Sequence, residues 1–420
     1  MTLVLNHQQP LSGNKIWIAA LLALSVASCT TKKTILSSSN QKVEEPTVVV
    51  TPKNAAETAA KNSLEKHLLN NTISLVLPFQ LNRIPGTRVS EEDVKRSALA
   101  LDYYQGFEIG VQEVAATTRP FKLKILDSED DQAKNQQLAA NKSVNESILI
   151  VGPVYPKEIR AFSAGLTNRN ILQVSPLAAS KATEFNNPNL VSITPSIQTH
   201  MEAMAKYVAK KFTPGDRIII FETPDTDAKQ YLATFQSELL GYNKSATVEV
   251  VQSLDALGEA MSLIGNNLIV CGSTSSFQIK TFMNKLEAQM EDYPYEISVF
   301  GHPNWSKISF DGYSHINNFK VTVSTSYTVD EESDLARKFT FAYRKKFTIS
   351  PTEYAFKGYD AGRYFAQLIA EYGADYTKHV LKRDFQGLHN SFHFQYNPQY
   401  GYVNKAVGFM TFENGSFKLN

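Results

Sequence analysis

The chain has 420 residues, 43% of them hydrophobic, 20% charged and 11% aromatic, a balance that excludes a disordered or collagen-like polymer and provides for a substantial core. A formal net charge of +1 gives no general attraction to polyanions, so nucleic acid is not an expected partner. The length suits two lobes or one large α/β unit.

Residues 1–28 contain no Asp or Glu and one Lys, Lys15, ahead of an apolar run that falls short of the roughly 20 residues a spanning helix needs. This reads as an export signal, with Ala27 and Ser28 as the small residues before the cleavage point. Val26-Ala27-Ser28-Cys29 resembles the lipobox of bacterial lipoproteins, which implies lipid attachment at Cys29. By the same resemblance Thr30, rather than Asp, after the cysteine favours the outer membrane over the inner. Removal of 1–28 leaves acids and bases equal in number and, with Cys29 lipidated, Cys271 as the only free thiol. Cys271 ends the apolar run Leu268-Ile269-Val270-Cys271 and is expected to pack as a small hydrophobe rather than act as a nucleophile.

The segment 29–71 is rich in Ser, Thr, Lys, Asn and Glu and lacks sustained apolar periodicity, so it reads as a tether, with scope for a short helix over 55–69. From residue 72 the pattern changes. The run 72–79 is a nearly continuous apolar strand of the kind buried on both faces. Helical spacing over 93–116, alternation over 121–127, a polar helix over 130–141 and an apolar strand over 148–151 give βαβα order. It continues through a helix over 156–168, strands over 171–175 and 190–194, and a helix over 197–212. A second series follows, with strands at 217–221, 247–251, 267–271 and 297–300 and helices over 227–240, 255–264 and 275–290. Repeated β-helix-β order implies parallel strands, and two series imply two lobes. A strand over 319–326, helices over 331–346 and 353–372, and short strands in the aromatic- and Gly-rich tail 392–420 complete the chain.

The opening Leu75-Val76-Leu77-Pro78-Phe79, Tyr103-Tyr104-Gln105-Gly106-Phe107-Glu108 on the first helix, Ile150-Val151-Gly152-Pro153 and Val174-Ser175-Pro176-Leu177 follow one another in an order that resembles type I periplasmic binding proteins. The similarity is greatest to the branched-chain amino-acid-binding branch of substrate-binding lipoproteins and extends over about residues 72–420. It implies an α/β fold of two Rossmann-like lobes with parallel sheets joined by crossing strands. The expected division is a signal peptide at 1–28 and an anchored linker at 29–71. Lobe 1 takes 72–195, lobe 2 takes 196–330, and 331–420 is shared between them.

In open α/β sheets the ligand crevice lies beyond the C-terminal ends of the strands. There Ser175, Ser180, Ser273 and Thr274 offer hydroxyls, Tyr155, Trp305 and Tyr327 offer rings with a polar edge, and Asp225 is placed to meet an ammonium. Leu177 and Thr223 complete the expected ligand-binding set, although Ser and Asp after strands also serve as helix caps. Val154-Tyr155-Pro156 replaces the small hydroxyl residues that relatives carry after Gly-Pro, and Glu222-Thr223-Pro224-Asp225 lacks their Tyr-Gly pair. Either the ligand is not a simple amino acid or the cleft is no longer a transport site.

Phosphate-loop, dinucleotide, zinc-helix and nucleophile-elbow motifs are absent, so no enzyme activity, cofactor or metal is expected. His389 and His393 read as a surface pair. The acid run 127–131 sits where a strand passes into a helix and reads as capping. The resemblance implies a lipid-anchored receptor enclosing a small polar molecule, amino-acid-like or peptide-like, on the periplasmic face of the envelope, with a permease or sensor as partner. The competing expectation is an envelope lipoprotein of the same fold that binds and regulates an enzyme such as a peptidoglycan synthase.

Overall fold

The computed structural model describes residues 47–50, 71–86, 88–327 and 329–420. The export signal, Cys29 and the helix expected over 55–69 lie outside these residues. Within the stretch expected to be a tether, β1 (Thr47–Val50) pairs antiparallel with β3 (Phe121–Asp127), so part of that stretch is an edge strand of the first sheet.

Lobe 1 runs β2 (Thr72–Leu77), α1 (Glu91–Ala115), β3, α2 (Gln132–Ala140), α3 (Lys142–Asn145), β4 (Leu149–Val151), α4 (Pro156–Gly165), β5 (Leu172–Ser175) and β6 (Leu190–Ser192). Strand β2 is buried along its whole length, as its unbroken apolar run requires of a strand covered on both faces. Helix α1 starts at Ser90, whose hydroxyl accepts the Asp93 N–H while the Asp93 carboxylate accepts the Ser90 N–H at 2.9 Å. Glu91, Glu92 and Asp93 then suit the positive end of the helix dipole. The acid run does cap: Asp127 accepts the N–H groups of Gln80 and Leu81, and Asp131 is the N-cap of α2.

Lobe 2 begins with α5 (Ile197–Lys211) and β7 (Arg217–Phe221). The helix expected over 227–240 is two, α6 (Thr226–Leu232) and α7 (Phe235–Tyr242), because the β-branched Thr234 leaves helical geometry at φ −125°. Then come β8 (Val248–Val251), α8 (Leu254–Ala260), β9 (Asn266–Cys271), α9 (Ser276–Asp292), β10 (Glu296–Gly301) and β11 (Thr322–Thr325). Cys271 is fully buried, and burial pushes its thiol up to about 12.

Helices α10 (Asp334–Phe347) and α11 (Glu353–Tyr372) pack on α1, and a two-stranded ribbon, β12 (Phe385–Gln386) with β13 (Ser391–Phe392), follows. The tail divides between the lobes. Strands β14 (Phe394–Asn397) and β15 (Gly401–Asn404) extend the first sheet, whose order is β1-β3-β2-β4-β5-β6-β15-β14. Strands β16 (Gly408–Glu413) and β17 (Ser416–Leu419) extend the second, ordered β17-β16-β11-β10-β9-β7-β8. Strands β2 to β6 pair in parallel, as do β7 to β11. The chain therefore passes between the sheets at 193–196, 326–333 and 405–407.

Lobe 1 is centred on a helix seam. Gly106 and Gly110 of α1 meet Gly358 and Gly362 of α11, and a Cβ at Gly106, Gly358 or Gly362 would overlap the carbonyl of Ala355, Tyr103 or Phe107 respectively. Among the described residues no helix is long and apolar enough to cross a membrane.

Candidate ligand-binding cleft

The C-terminal ends of strands from both sheets open on one cleft of about 440 Å³, within the range of small-molecule sites. Lobe 1 supplies Leu177 and Ala179 after β5 and Thr194 and Pro195 after β6. Lobe 2 supplies Asp227 and Gln230 from α6, His302, Asn304 and Lys307 from the turn after β10, and Ser324 to Tyr327 at the end of β11. The first turns of α11 add Glu353 and Lys357. A separate hollow of about 500 Å³, lined by Glu222, Lys229 and Gln252 among others, belongs to lobe 2 alone.

Of the residues expected from sequence, the structure brings Leu177 and Tyr327 into the lining. The Tyr327 ring stacks on His389 at 4.9 Å and lies 5.2 Å from the Lys357 ammonium. That stack buries His389, which is therefore not half of a surface pair.

The remaining expected residues are placed elsewhere, each for a local reason. Trp305 is fully buried in the lobe 2 core between Phe282 and Phe310, with its indole N–H donating to the Ser273 carbonyl at 2.7 Å, and so presents no face to the cleft. Asp225 is the N-cap of α6. It accepts the Ala228 N–H at 3.0 Å and the hydroxyls of Thr223 and Ser273, both at 2.7 Å, so its oxygens are already occupied. Burial raises its carboxyl, but these hydrogen bonds outweigh it and hold the group below the usual range. Thr274 donates to Asp227 at 2.5 Å and thereby positions a cleft residue. Ser175 is wholly buried at the end of β5, Ser180 is half-buried outside the lining, and Tyr155 stands at the N-cap of α4.

Asp225→Ala is expected to cost about 2–3 kcal/mol by losing a helix cap and stranding two hydroxyls. Urea midpoints measure this, and a loss below about 0.5 kcal/mol would show the cap to be idle.

The cleft chemistry is set by groups the sequence reading passed over. Burial lowers both His200 and His302 to about 4, against an opposing pull on His302 from Asp227 and Asp225, so both imidazoles are neutral at pH 7. His200 Nδ1 lies 3.0 Å from the Ser324 hydroxyl. Glu353 is raised by burial, but the 2.6 Å Lys357 partner and the charges of Lys357, His389 and Lys307 win and hold it ionised. One signal was available. Glu353 and Lys357 form an i,i+4 acid–base pair on a helix that the sequence delimits correctly.

No protein-family model matches the sequence, and no curated protein matches it. Solved structures do share the fold. The chain is similar to a protein assigned to branched-chain amino acid ABC transport in Rhodospirillum rubrum, at 13% identity and a TM-score of 0.61, covering 83% of this chain and 99% of that one. An ABC-type branched-chain amino acid transporter from Rhodopseudomonas palustris matches at 14% identity and a TM-score of 0.56, covering 83% and 95%. A branched-chain amino acid ABC transporter periplasmic ligand-binding protein from Burkholderia xenovorans matches at 12% identity and a TM-score of 0.54, covering 83% and 94%. With its two mostly parallel sheets, flanking helices and paired lobes, the chain has the type I periplasmic binding protein fold.

Proposed function

We propose that the protein is a non-enzymatic solute-binding receptor that encloses a small polar ligand, amino-acid-like or peptide-like, between its lobes. The observation that carries this reading is the cleft itself: about 440 Å³ of space, lined by both lobes and by α11, and not filled by the protein's own side chains. The crossings at 193–196, 326–333 and 405–407 are the segments about which the lobes would close. The names of structural neighbours, which are transport proteins for branched-chain amino acids, support the same class. On this reading Cys29 carries a lipid that holds the receptor on the periplasmic face of the envelope, on the outer membrane by the Thr30 signal, and a permease or sensor receives the ligand.

The apolar residues Leu177, Ala179 and Pro195 after β5 and β6 are what favour the second reading, an envelope lipoprotein that regulates a partner such as a peptidoglycan synthase. A thermal-shift screen of the purified protein against amino acids, short peptides, sugars and muropeptide fragments separates the two, since a cleft ligand stabilises by RT ln(1 + [L]/Kd). A saturable rise in Tm for one chemical class is the expected result. A flat response at millimolar concentrations across the panel would sink the receptor for those classes and direct attention to partner capture.

A further inference from the structure

The two walls of the cleft differ in chemistry. On the lobe 1 side Leu177, Ala179 and Pro195 are apolar, the Thr194 hydroxyl is directed to the Pro176 carbonyl at 3.4 Å, and Ser175 has no exposed surface. The only charged side chains on that side are Glu353 and Lys357 of α11, which pair with each other. The turn at 302–307 in lobe 2 is the opposite. His302 Nδ1 accepts the backbone N–H of Asn304 at 3.1 Å. A backbone N–H can only donate, so Nδ1 carries no proton in the neutral ring and Nε2 carries one. Nε2 makes no hydrogen bond among the described residues, and His302, buried with its ring 5.1 Å from that of Tyr231, lines the cleft. From the same turn come the Asn304 amide and the Lys307 ammonium, both exposed and neither in a side-chain hydrogen bond or close ion pair among the described residues, although the Lys307 charge is felt by Glu353.

The two carboxylates of the cleft are differently committed. Glu353 is neutralised by Lys357 at 2.6 Å, while Asp227 accepts one hydroxyl, from Thr274, and keeps its other oxygen. The arrangement therefore offers an N–H donor and a full cation, close in sequence and on one turn, on which the facing acids Asp227, Asp225 and Glu353 act through charge without a hydrogen bond or close ion pair. It also leaves an acid on α6 for an ammonium.

We propose that the 302–307 turn is an anion subsite and that the ligand of the cleft carries a carboxylate held by Lys307 and the Nε2–H of His302, with its apolar part against lobe 1. The proposal rests on the receptor reading and adds the part of the ligand that lobe 2 recognises. Charge-assisted hydrogen bonds of this kind are the strong ones, and removing one partner changes affinity by about tenfold or more.

The test uses matched pairs that differ only in the charged group: leucine and leucinamide, phenylalanine and phenylalaninamide, benzoate and benzamide. Inorganic phosphate and maltose are added as separate arms, all titrated into the purified protein at pH 7.5 by thermal shift and calorimetry. At least one acid is expected to bind saturably, with its amide about tenfold weaker or worse. In Lys307→Gln, a change at an exposed position, that acid–amide difference is expected to vanish while Tm without ligand stays within about 1 °C.

Equal binding of acid and amide, or a Lys307→Gln protein that still discriminates, overturns the subsite. Binding of maltose alone overturns it too and leaves the receptor reading standing. Phosphate binding that requires Lys307, with no acid bound, overturns the carboxylate. A flat response to every compound removes the receptor reading, and the subsite falls with it.

Discussion

Gly358→Ala is expected to destabilise the protein by about 3 kcal/mol or more, at or beyond the upper end of ordinary overpacking. The added methyl would overlap the Tyr103 carbonyl and come within 2.9 Å of the Phe107 nitrogen. Both are backbone atoms of α1 and cannot swing aside as a flexible side chain can. Relief requires α1 and α11 to separate, and that seam is flanked by the fully buried Tyr103, Phe107, Tyr359 and Ala361. Gly106→Ala, which would drive a methyl into the Ala355 carbonyl, is expected to behave alike. The control is Gly241→Ala near the end of α7, where nothing lies within 4 Å of the new Cβ. There the better helix propensity of alanine predicts a neutral change or a gain of up to about 1 kcal/mol. Urea midpoints of the three variants decide the matter: losses at Gly358 and Gly106 no larger than at Gly241 would mean that close approach across the seam does not exclude a side chain there.

The seam also shows what is legible in a sequence and what is not. The spacing of Ala98, Leu101, Tyr104, Phe107 and Val111 marks α1 as a helix, and the bounds 353–372 coincide with α11. That the two helices touch through four glycines depends on a pairing across some 250 residues, which no local pattern encodes. The same limit governs the site. The strand ends, and so the loops that face the crevice, follow from apolar runs such as Ile218 to Phe221 and Leu268 to Cys271. Which side chain of a loop faces inward does not follow. In the turn after β10 the large aromatic Trp305 is the natural candidate by residue type, yet the absence of a side chain on Gly301 lets that ring pack into the core. His302 and Lys307 of the same turn line the cleft instead. Likewise Asp225 is consumed as a cap while Asp227, two residues later, reaches the cleft. A helix cap and a ligand contact use the same residue types at the same strand ends, so chemistry alone cannot separate them.

The largest polar effect is expected at a residue the tail pattern gave no reason to single out. Asn404 ends β15 with no exposed surface and uses both ends of its amide. Its Nδ2 donates to the carbonyls of Ile193 and Ser391, each at 2.9 Å, and its Oδ1 accepts the N–H groups of His393 at 2.9 Å and Ala406 at 3.0 Å. Ile193 opens one crossing between the sheets and Ala406 lies in another, so one side chain ties two of the crossings to lobe 1. Asn404→Asp keeps the shape but turns a donor into an acceptor facing two carbonyls, in a fully buried site. The expected loss is about 3–5 kcal/mol at pH 8, the cost of a buried charge without a partner. The variant also carries a pH signature. Burial beside carbonyl oxygens raises the new carboxyl above its unfolded value, so the folded state binds the extra proton more readily than the unfolded state does. The added carboxyl is then least harmful below its unfolded pKa, and the penalty grows as pH rises through the folded one. The stability gap between wild type and variant, from urea midpoints at pH 5 and pH 8, is therefore expected to widen with pH. A gap that is constant, or smaller than about 1 kcal/mol throughout, would mean that water reaches the site and that Asn404 does not hold the crossings together.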